Sequence, residues 1–138
     1  MISKCRNCET EFKHNPSQGG TYCCRQCQHE YQYNKNLKDW LSRKITGRML
    51  DDRPSGFVRR HLLEECNYSC TKCGWGEANP INGIVHLEID HIDGNRENGY
   101  RENLQVLCPN CHSLTDTYKT LNKNIGYPKK RRLPLNTE

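Results

Sequence analysis

Two adjacent residues, Asp90 and His91, carry side chains suited to hydrolytic chemistry. A carboxylate oxygen is a hard ligand for magnesium or manganese, and a neutral imidazole can take a proton from water near neutral pH. Adjacent residues of an ideal strand point to opposite faces, so the strand must end or bend here if both are to serve one site. Gly94, three residues after His91, fits such a bend.

Two CxxC pairs flank this dipeptide and have the spacing of a tetrahedral zinc site, with the ligands Cys70, Cys73, Cys108 and Cys111. Each CxxC turn lets both sulfurs reach about 2.3 Å from one ion. Reduced thiols packed in a core are a much less favoured interpretation of a doubled CxxC. The 34 residues between the pairs exceed the interval of a simple zinc ribbon. We therefore expect a structured insert that contains Asp90 and His91.

His112 directly follows the zinc ligand Cys111 on the first turn of a predicted helix. The zinc would hold this imidazole in place, and the imidazole could be a second ligand of the metal bound by Asp90. A structural zinc would thus fix the geometry of a catalytic metal that it does not touch.

A second cysteine cluster lies near the N-terminus and predicts a second zinc. Cys5 and Cys8 form a CxxC, and spacing alone would pair Cys24 with Cys27. However, TYCCRQCQ resembles the YCSxxCQ turn of small treble-clef zinc knuckles, which favours Cys23 with Cys27 instead. Two histidines, His14 and His29, are less favoured as ligands because histidine in polar sequence is more often solvated. Cys66 is expected to be a free, partly buried thiol.

The composition limits the chain to one modest domain or two small ones, since only 33% of its 138 residues are hydrophobic. Ten cysteines without an apolar leader favour metal binding in a cytoplasmic, intracellular protein over a disulfide scaffold. No apolar run approaches the roughly 20 residues of a membrane span.

The formal charge of +5 overstates how basic the protein is. Each four-thiolate zinc site contributes −2, so two sites bring the net charge to about +1. The position of the basic residues therefore matters more than their total. The segment YPKKRRLP, residues 127–134, is either a solubilising end or a contact for nucleic acid.

Helical spacing from 28 to 44 predicts a helix with one buried side, on which lie Tyr31, Asn34, Leu37, Trp40, Leu41 and Ile45. Ser55 can cap a second helix through FVRRHLLEE, with Phe57, Val58, Leu62 and Leu63 facing inward. IVHLEIDHI predicts a strand in which Val85, Leu87 and Ile89 alternate with His86, Glu88 and Asp90. A loop, a strand over LQVLC and a helix from Pro109 through 121 follow. The predicted parts are a zinc module and helix, a linker, a main domain and a basic flexible tail, at 1–45, 46–56, 57–124 and 125–138.

Together, these motifs resemble those of the HNH nucleases. Asp90-His91, Asn103 in ENL and His112 in CPNCH, set between the two CxxC pairs, carry the resemblance over about residues 57–121. It implies a small zinc-stabilised α+β protein, with a ββα-metal, treble-clef-like nuclease domain and an N-terminal zinc-binding module joined by helices. His91 matches the general base, Asp90 and His112 match ligands of a catalytic magnesium or manganese, and Asn103 matches the residue that orients the base. The tract around them is most similar to phage-borne, homing-type enzymes.

The resemblance implies DNA, double-stranded by preference, as the partner, with cleavage of one strand or both. Three residues border the predicted site and are either phosphate contacts or solvated surface: Arg96, Arg101 and Lys119. His86 and Glu88 are expected to be solvated rather than catalytic. Two alternatives are a non-catalytic zinc protein that binds nucleic acid and a nuclease subunit of a phage packaging or defence assembly. The recognised sequence and the oligomeric state do not follow from the sequence.

Overall fold

A computed structural model describes residues 1–49 and 53–121. The chain divides into two compact units, of which the first is Met1–Ile45 and the second begins at Thr46. In the described residues there are three α-helices and two antiparallel two-stranded sheets, so the fold is small α+β, as the sequence predicted. The predicted basic tail lies outside the described residues, and the predicted domain bounds stay predictions.

The first unit is a short hairpin followed by a long helix. Strands β1 (Ile2–Lys4) and β2 (Glu11–Lys13) pair antiparallel, with Ile2 opposite Lys13. A 3-10 turn at Pro16–Gln18 leads to helix α1 (Arg25–Leu41). This helix begins and ends three residues before the predicted bounds, and its end coincides with Arg43 in the left-handed region at φ 62°.

The predicted buried side of α1 is correct in part, since Tyr31 and Leu37 are half-buried and Asn34 is exposed. Trp40 is 1% exposed, but Leu41 and Ile45 are among the exposed large hydrophobic residues. Ile45 lies beyond the end of the helix, so helical spacing no longer sets its direction. Trp40 is therefore the only residue of this helix that is fully buried.

The second unit begins with residues predicted as a linker, and their described part carries backbone pairing. Arg48 and Pro54 form an isolated antiparallel bridge, and the N–H of Ser55 donates to the carbonyl of Gly47 over 2.8 Å. Helix α2 (Gly56–Glu65) follows with Val58 and Leu62 buried. Ser55 is the N-cap residue as predicted, but its hydroxyl makes no capping hydrogen bond, so that part of the prediction was wrong.

Strands β3 (Glu88–His91) and β4 (Leu104–Leu107) form the second sheet, and helix α3 (Pro109–Ser113) follows. The predicted strand–loop–strand–helix order is correct, but β3 and α3 are shorter than predicted. Residues before β3 are instead hydrogen-bonded within a local turn, in which the N–H of Asn79 donates to the carbonyl of Ile84. Just beyond the end of α3, the N–H and the hydroxyl of Thr115 both donate to the carbonyl of His112.

The core of the second unit is small and lies between α2 and the sheet. Its apolar members, all at most 3% exposed, are Val58, Leu62, Leu87, Leu104, Val106 and Leu107. Leu87 is buried and Glu88 exposed, so the predicted alternation holds at these positions. Asp90 departs from it, because it is only 8% exposed. No helix in the part of the chain that the structure describes is long and apolar enough to cross a membrane.

Candidate active site

The base of the site is a cluster of four thiols whose sulfurs lie within 4.8 Å of one another and could hold a metal ion: Cys70, Cys73, Cys108 and Cys111. The first pair lies in a tight turn in which the N–H of Gly74 donates to the carbonyl of Cys70 over 2.8 Å. Gly74 has φ 77°, a conformation that glycine adopts without steric cost. The predicted grouping is confirmed, and the identity of the ion stays a prediction.

Cys108 has a second task, because it is the N-cap of α3 and its sulfur accepts the N–H of Cys111. The N–H of Thr71 donates to the carbonyl of Val106 and so joins the first turn to β4. Burial acts to raise the pKa of Cys70, but backbone N–H groups of Cys108, Cys73 and Lys72 lower it to about 6. The backbone is thus already arranged to stabilise a thiolate, the form that binds metal.

The N-terminal cluster has the same arrangement and consists of Cys5, Cys8, Cys23 and Cys27. The structure places Cys23 in the cluster, as the knuckle resemblance indicated. Cys24 is instead the N-cap of α1 and accepts the N–H of Cys27. His14 is outside the group, with its ring between the hydroxyl of Ser3 and the carbonyl of Asn15. Cys66 is half-buried, and its thiol donates to the carbonyl of Leu63, in keeping with the expected free thiol.

One carboxylate oxygen of Asp90 accepts a hydrogen bond from the neighbouring strand, and the other faces His112. Asp90 lies opposite Gln105 in the sheet register, and the Gln105 amide donates to its Oδ2 over 2.8 Å. The other oxygen, Oδ1, lies 3.5 Å from Nε2 of His112. The structure therefore brings together the two residues that the resemblance implied as metal ligands.

His112 lies between two carboxylates, and the second of these was not expected. Its Nδ1 is hydrogen-bonded to Oε2 of Glu88, so this carboxylate, half exposed as its expected solvation requires, also has a partner in the site. The edge of the His112 ring also meets Tyr118, with ring centroids 5.1 Å apart. The sequence indicates that Glu88 lies near the site, because residues i and i+2 of a strand share one face and Asp90 is two residues after Glu88.

Asp90 and His112 offer donors that fit one divalent ion. Two ligand atoms that each lie about 2.1 Å from an ion are about 3.0 Å apart at a right angle and at most about 4.2 Å apart. The 3.5 Å between Oδ1 and Nε2 falls inside that range. A carboxylate suits magnesium and manganese, and an imidazole suits transition metals, so the mixed pair fits manganese at least as well as magnesium.

His91 is the last residue of β3, and the chain turns directly after it. The N–H of Gly94 donates to the carbonyl of His91 over 2.8 Å, which provides the strand end that two adjacent functional residues require. Asn103, which directly precedes β4, fixes the loop that follows His91. Its amide donates to Oδ1 of Asp93 and to the carbonyl of Asn98, and its own Oδ1 accepts the N–H of Asp93.

Asp93 is a further member of the site that the sequence did not identify. Burial acts to raise its pKa, but hydrogen bonds from Asn98, Asn95 and Asn103 lower it, and the charge of His91 adds to the lowering. The carboxylate therefore serves as the acceptor around which the loop is folded. The only sequence signal is its place two residues after His91 in a turn rich in Asn and Gly.

The three residues predicted as phosphate contacts differ in their surroundings. Arg101 pairs with Glu65 and donates to the carbonyl of Leu104, so it joins α2 to the sheet, and its contact with phosphate stays a prediction. Lys119 lies 4.8 Å from the centre of the Tyr118 ring. Interaction with Tyr118, and to a smaller extent the charge of Glu88, raises the pKa of Lys119 and keeps it cationic beside the site. Arg96 is exposed on the loop after His91.

Known proteins match this region. Residues 70–116 match the family model described as HNH endonuclease, a range that takes in the second cysteine cluster and Asp90, His91, Asn103 and His112. This part of the chain is an HNH endonuclease domain.

A curated relative, the H-N-H endonuclease F-TflIV of Escherichia phage T5, is 42% identical over 59 residues. Those residues are 43% of this chain and 24% of the relative, so the matched part spans about a quarter of that protein's length. No solved structure matches this chain.

Proposed function

We propose that the protein is a metal-dependent endonuclease that hydrolyses phosphodiester bonds of DNA. The observation that carries the proposal is the pair of Asp90 Oδ1 and His112 Nε2, 3.5 Å apart, with Asp90 next to His91 in the chain at the end of β3. A phosphodiester is anionic and resists attack, so its hydrolysis needs a positive centre for the developing charge and a base for the attacking water. This site has residues for both tasks.

In this proposal His91 takes the proton of the attacking water, because a neutral imidazole is a suitable base near neutral pH. Asp90 and His112 hold magnesium or manganese, which when bound stabilises charge on the phosphate and on the leaving oxygen. Asn103 acts through the loop, since its amide holds Asp93 and thereby the turn that begins at His91.

Both cysteine clusters hold structural zinc in this proposal, and the second unit is a ββα-metal, treble-clef-like nuclease domain that follows an N-terminal zinc-binding module in the sequence. The zinc beneath the site keeps His112 in register, because the preceding residue is a ligand and the helix has only five residues. Zinc also compensates for the small core, since domains of this size rarely bury enough apolar surface alone.

DNA affinity comes from cations around the site and from the rest of the chain. Lys119 and Arg96 are the candidate phosphate contacts beside the site. The N-terminal module and the tail from 125 to 138 add sequence-independent attraction, so binding weakens steeply with salt. The relative is a phage enzyme by name, which favours a phage-borne, homing-type role in the cytoplasm of a bacterial host.

The experiment is cleavage of supercoiled plasmid by the zinc-loaded full chain, with magnesium, with manganese and with neither. We expect nicked or linear product only when one of the two is added. Asp90→Ala should lose most of this activity and regain part of it in excess manganese, because the variant lacks a ligand rather than the base. A folded protein that binds DNA but leaves the plasmid intact under every condition would favour a non-catalytic binding module.

A further inference from the structure

The two ring nitrogens of His112 face two different carboxylates, those of Glu88 and Asp90. The two carboxylates are two residues apart on β3 and therefore share a face of the sheet. His112 comes from α3 and lies across that face, with Nδ1 toward Glu88 and Nε2 toward Asp90. Each nitrogen of one ring thus has its own carboxylate.

This arrangement selects one tautomer of the imidazole. A neutral imidazole carries one proton, and the proton must lie on Nδ1 when that nitrogen donates to a carboxylate. The lone pair is then on Nε2, the nitrogen that faces Asp90. Without an acceptor at Nδ1 the proton can occupy either nitrogen, and a ring protonated on Nε2 cannot bind a metal through that atom.

We propose that Glu88 is a positioning residue that holds His112 with its Nε2 lone pair aimed at the divalent metal, an inference that rests on the proposed function. Glu88 itself stays outside the coordination shell, because the two ring nitrogens point in different directions and its oxygen lies on the Nδ1 side. Tyr118 packs against the imidazole with the two ring planes nearly perpendicular, and this contact limits the rotation of the imidazole. Since Glu88 is half exposed, water competes for the same hydrogen bond, and the expected effect is moderate.

The test compares the zinc-loaded full chain with Glu88→Ala and Glu88→Gln, and Glu77→Gln is the matched control on an exposed glutamate of the same unit. Nitrogen-15 NMR reports which nitrogen of His112 carries the proton, and titration with Mn²⁺ reports metal affinity, both without DNA. We expect the Nδ1–H tautomer in the unchanged protein and in the control. Glu88→Ala should mix the tautomers and weaken Mn²⁺ binding about tenfold, the lower end for removal of a partner of a metal-ligating histidine. Glu88→Gln should lie between, because its amide oxygen still accepts the Nδ1 proton.

An unchanged tautomer or unchanged Mn²⁺ affinity in Glu88→Ala would overturn the proposal. Loss of affinity in Glu88→Gln as large as in Glu88→Ala, with the tautomer retained, would make Glu88 a direct ligand and also overturn it. Cleavage of plasmid is scored separately. A protein with the expected tautomer and Mn²⁺ behaviour that cuts no DNA would refute the nuclease proposal and leave the role of Glu88 standing.

Discussion

The two units build their cysteine clusters from the same hydrogen bonds, yet only the second carries a candidate active site. In the first turn of each cluster, the N–H of the first cysteine donates to a carbonyl five residues on: Cys5 to Thr10, and Cys70 to Trp75. The N–H of the residue after that cysteine donates to the carbonyl of the residue two positions before the third cysteine of the cluster, as Thr71 does to Val106. The cluster is therefore a scaffold, and the chemistry comes from what is attached to it.

One difference lies at the start of the helix. Cys108 is both a ligand of its cluster and the N-cap of α3. In the first unit these tasks are divided, because Cys23 belongs to the cluster and Cys24 is the cap. The extra residue explains why the last pair is spaced CxxxC in one unit and CxxC in the other.

The second difference is the length of chain between the pairs. Residues 9–22 connect them in the first unit and residues 74–107 in the second, which leaves room for β3 and the loop after it. The insert brings Asp90 toward the residue that follows the last ligand. That residue is His112 in the second unit and Gln28 in the first, which offers no metal-binding nitrogen.

The largest expected effect is on cleavage and belongs to the second unit alone. His91→Ala should lower the cleavage rate by about 10² to 10⁴, the usual contribution of a positioned base, while zinc content and DNA affinity remain. His29→Ala, at an exposed position in the first unit, is the control and should leave the rate unchanged. The rate of the unchanged protein should rise with pH as the imidazole loses its proton and then level off. A His91→Ala protein that is folded and cuts at the original rate would contradict the assignment.

Serine substitutions at Cys108 and Cys24 distinguish a cysteine that binds zinc from one that only caps a helix. Serine keeps an oxygen that can cap a helix but is a poor zinc ligand. Cys108→Ser should therefore lose one zinc and the cooperative unfolding of the second unit, whereas Cys24→Ser should keep both zincs and nearly the same melting temperature. Elemental analysis and calorimetry measure both. Loss of zinc in Cys24→Ser would mean that Cys24, not Cys23, is the ligand.

A smaller effect concerns pH and the loop around Asp93, which has no counterpart in the first unit. The pKa of Asp93 is lowered in the folded state, so its contribution to stability is complete above the unfolded value and is lost as the pH falls through the lowered pKa. Carboxyl carbon-13 NMR of the zinc-loaded protein should place that pKa below the ordinary aspartate range. Asp93→Asn should remove this pH dependence of amide exchange protection at Asn95 and Asn98. An ordinary pKa would show that the loop is not folded around this carboxylate.

The smallest expected effect tests the turn that both clusters share. The residue after the second cysteine is left-handed in each, with φ 61° at Glu9 and φ 77° at Gly74. Gly74→Ala should destabilise the second unit by about 1 kcal/mol, because no atom lies near the added carbon and backbone strain alone acts. Glu9→Gly should stabilise the first unit by a similar or smaller amount. Denaturant unfolding of the zinc-loaded protein measures both, and shifts of the opposite sign would refute the shared geometry.

The sequence was most informative where function depends on residues that are close together in the chain. A CxxC turn places two sulfurs on one ion whatever the rest of the chain does, so both clusters could be grouped from spacing and motif. The requirement that β3 end at His91 followed from the alternation of side chains along a strand. The lengths of β3 and α3 could not be predicted, because each ends where its hydrogen-bonding groups find other partners.

Contacts between distant positions were decided only by the tertiary structure. Glu88 was expected to be solvated rather than catalytic, and the structure adds a partner for it, His112, 24 residues away in the chain. Arg101 was expected to be either a phosphate contact or solvated surface, and it pairs with Glu65, 36 residues earlier. The sequence by itself determined which residues can bind metal or move a proton, since that is a property of side-chain chemistry and short spacing. Which carboxylate faces which nitrogen depends on strand register and helix placement, and these are fixed by packing of the whole unit.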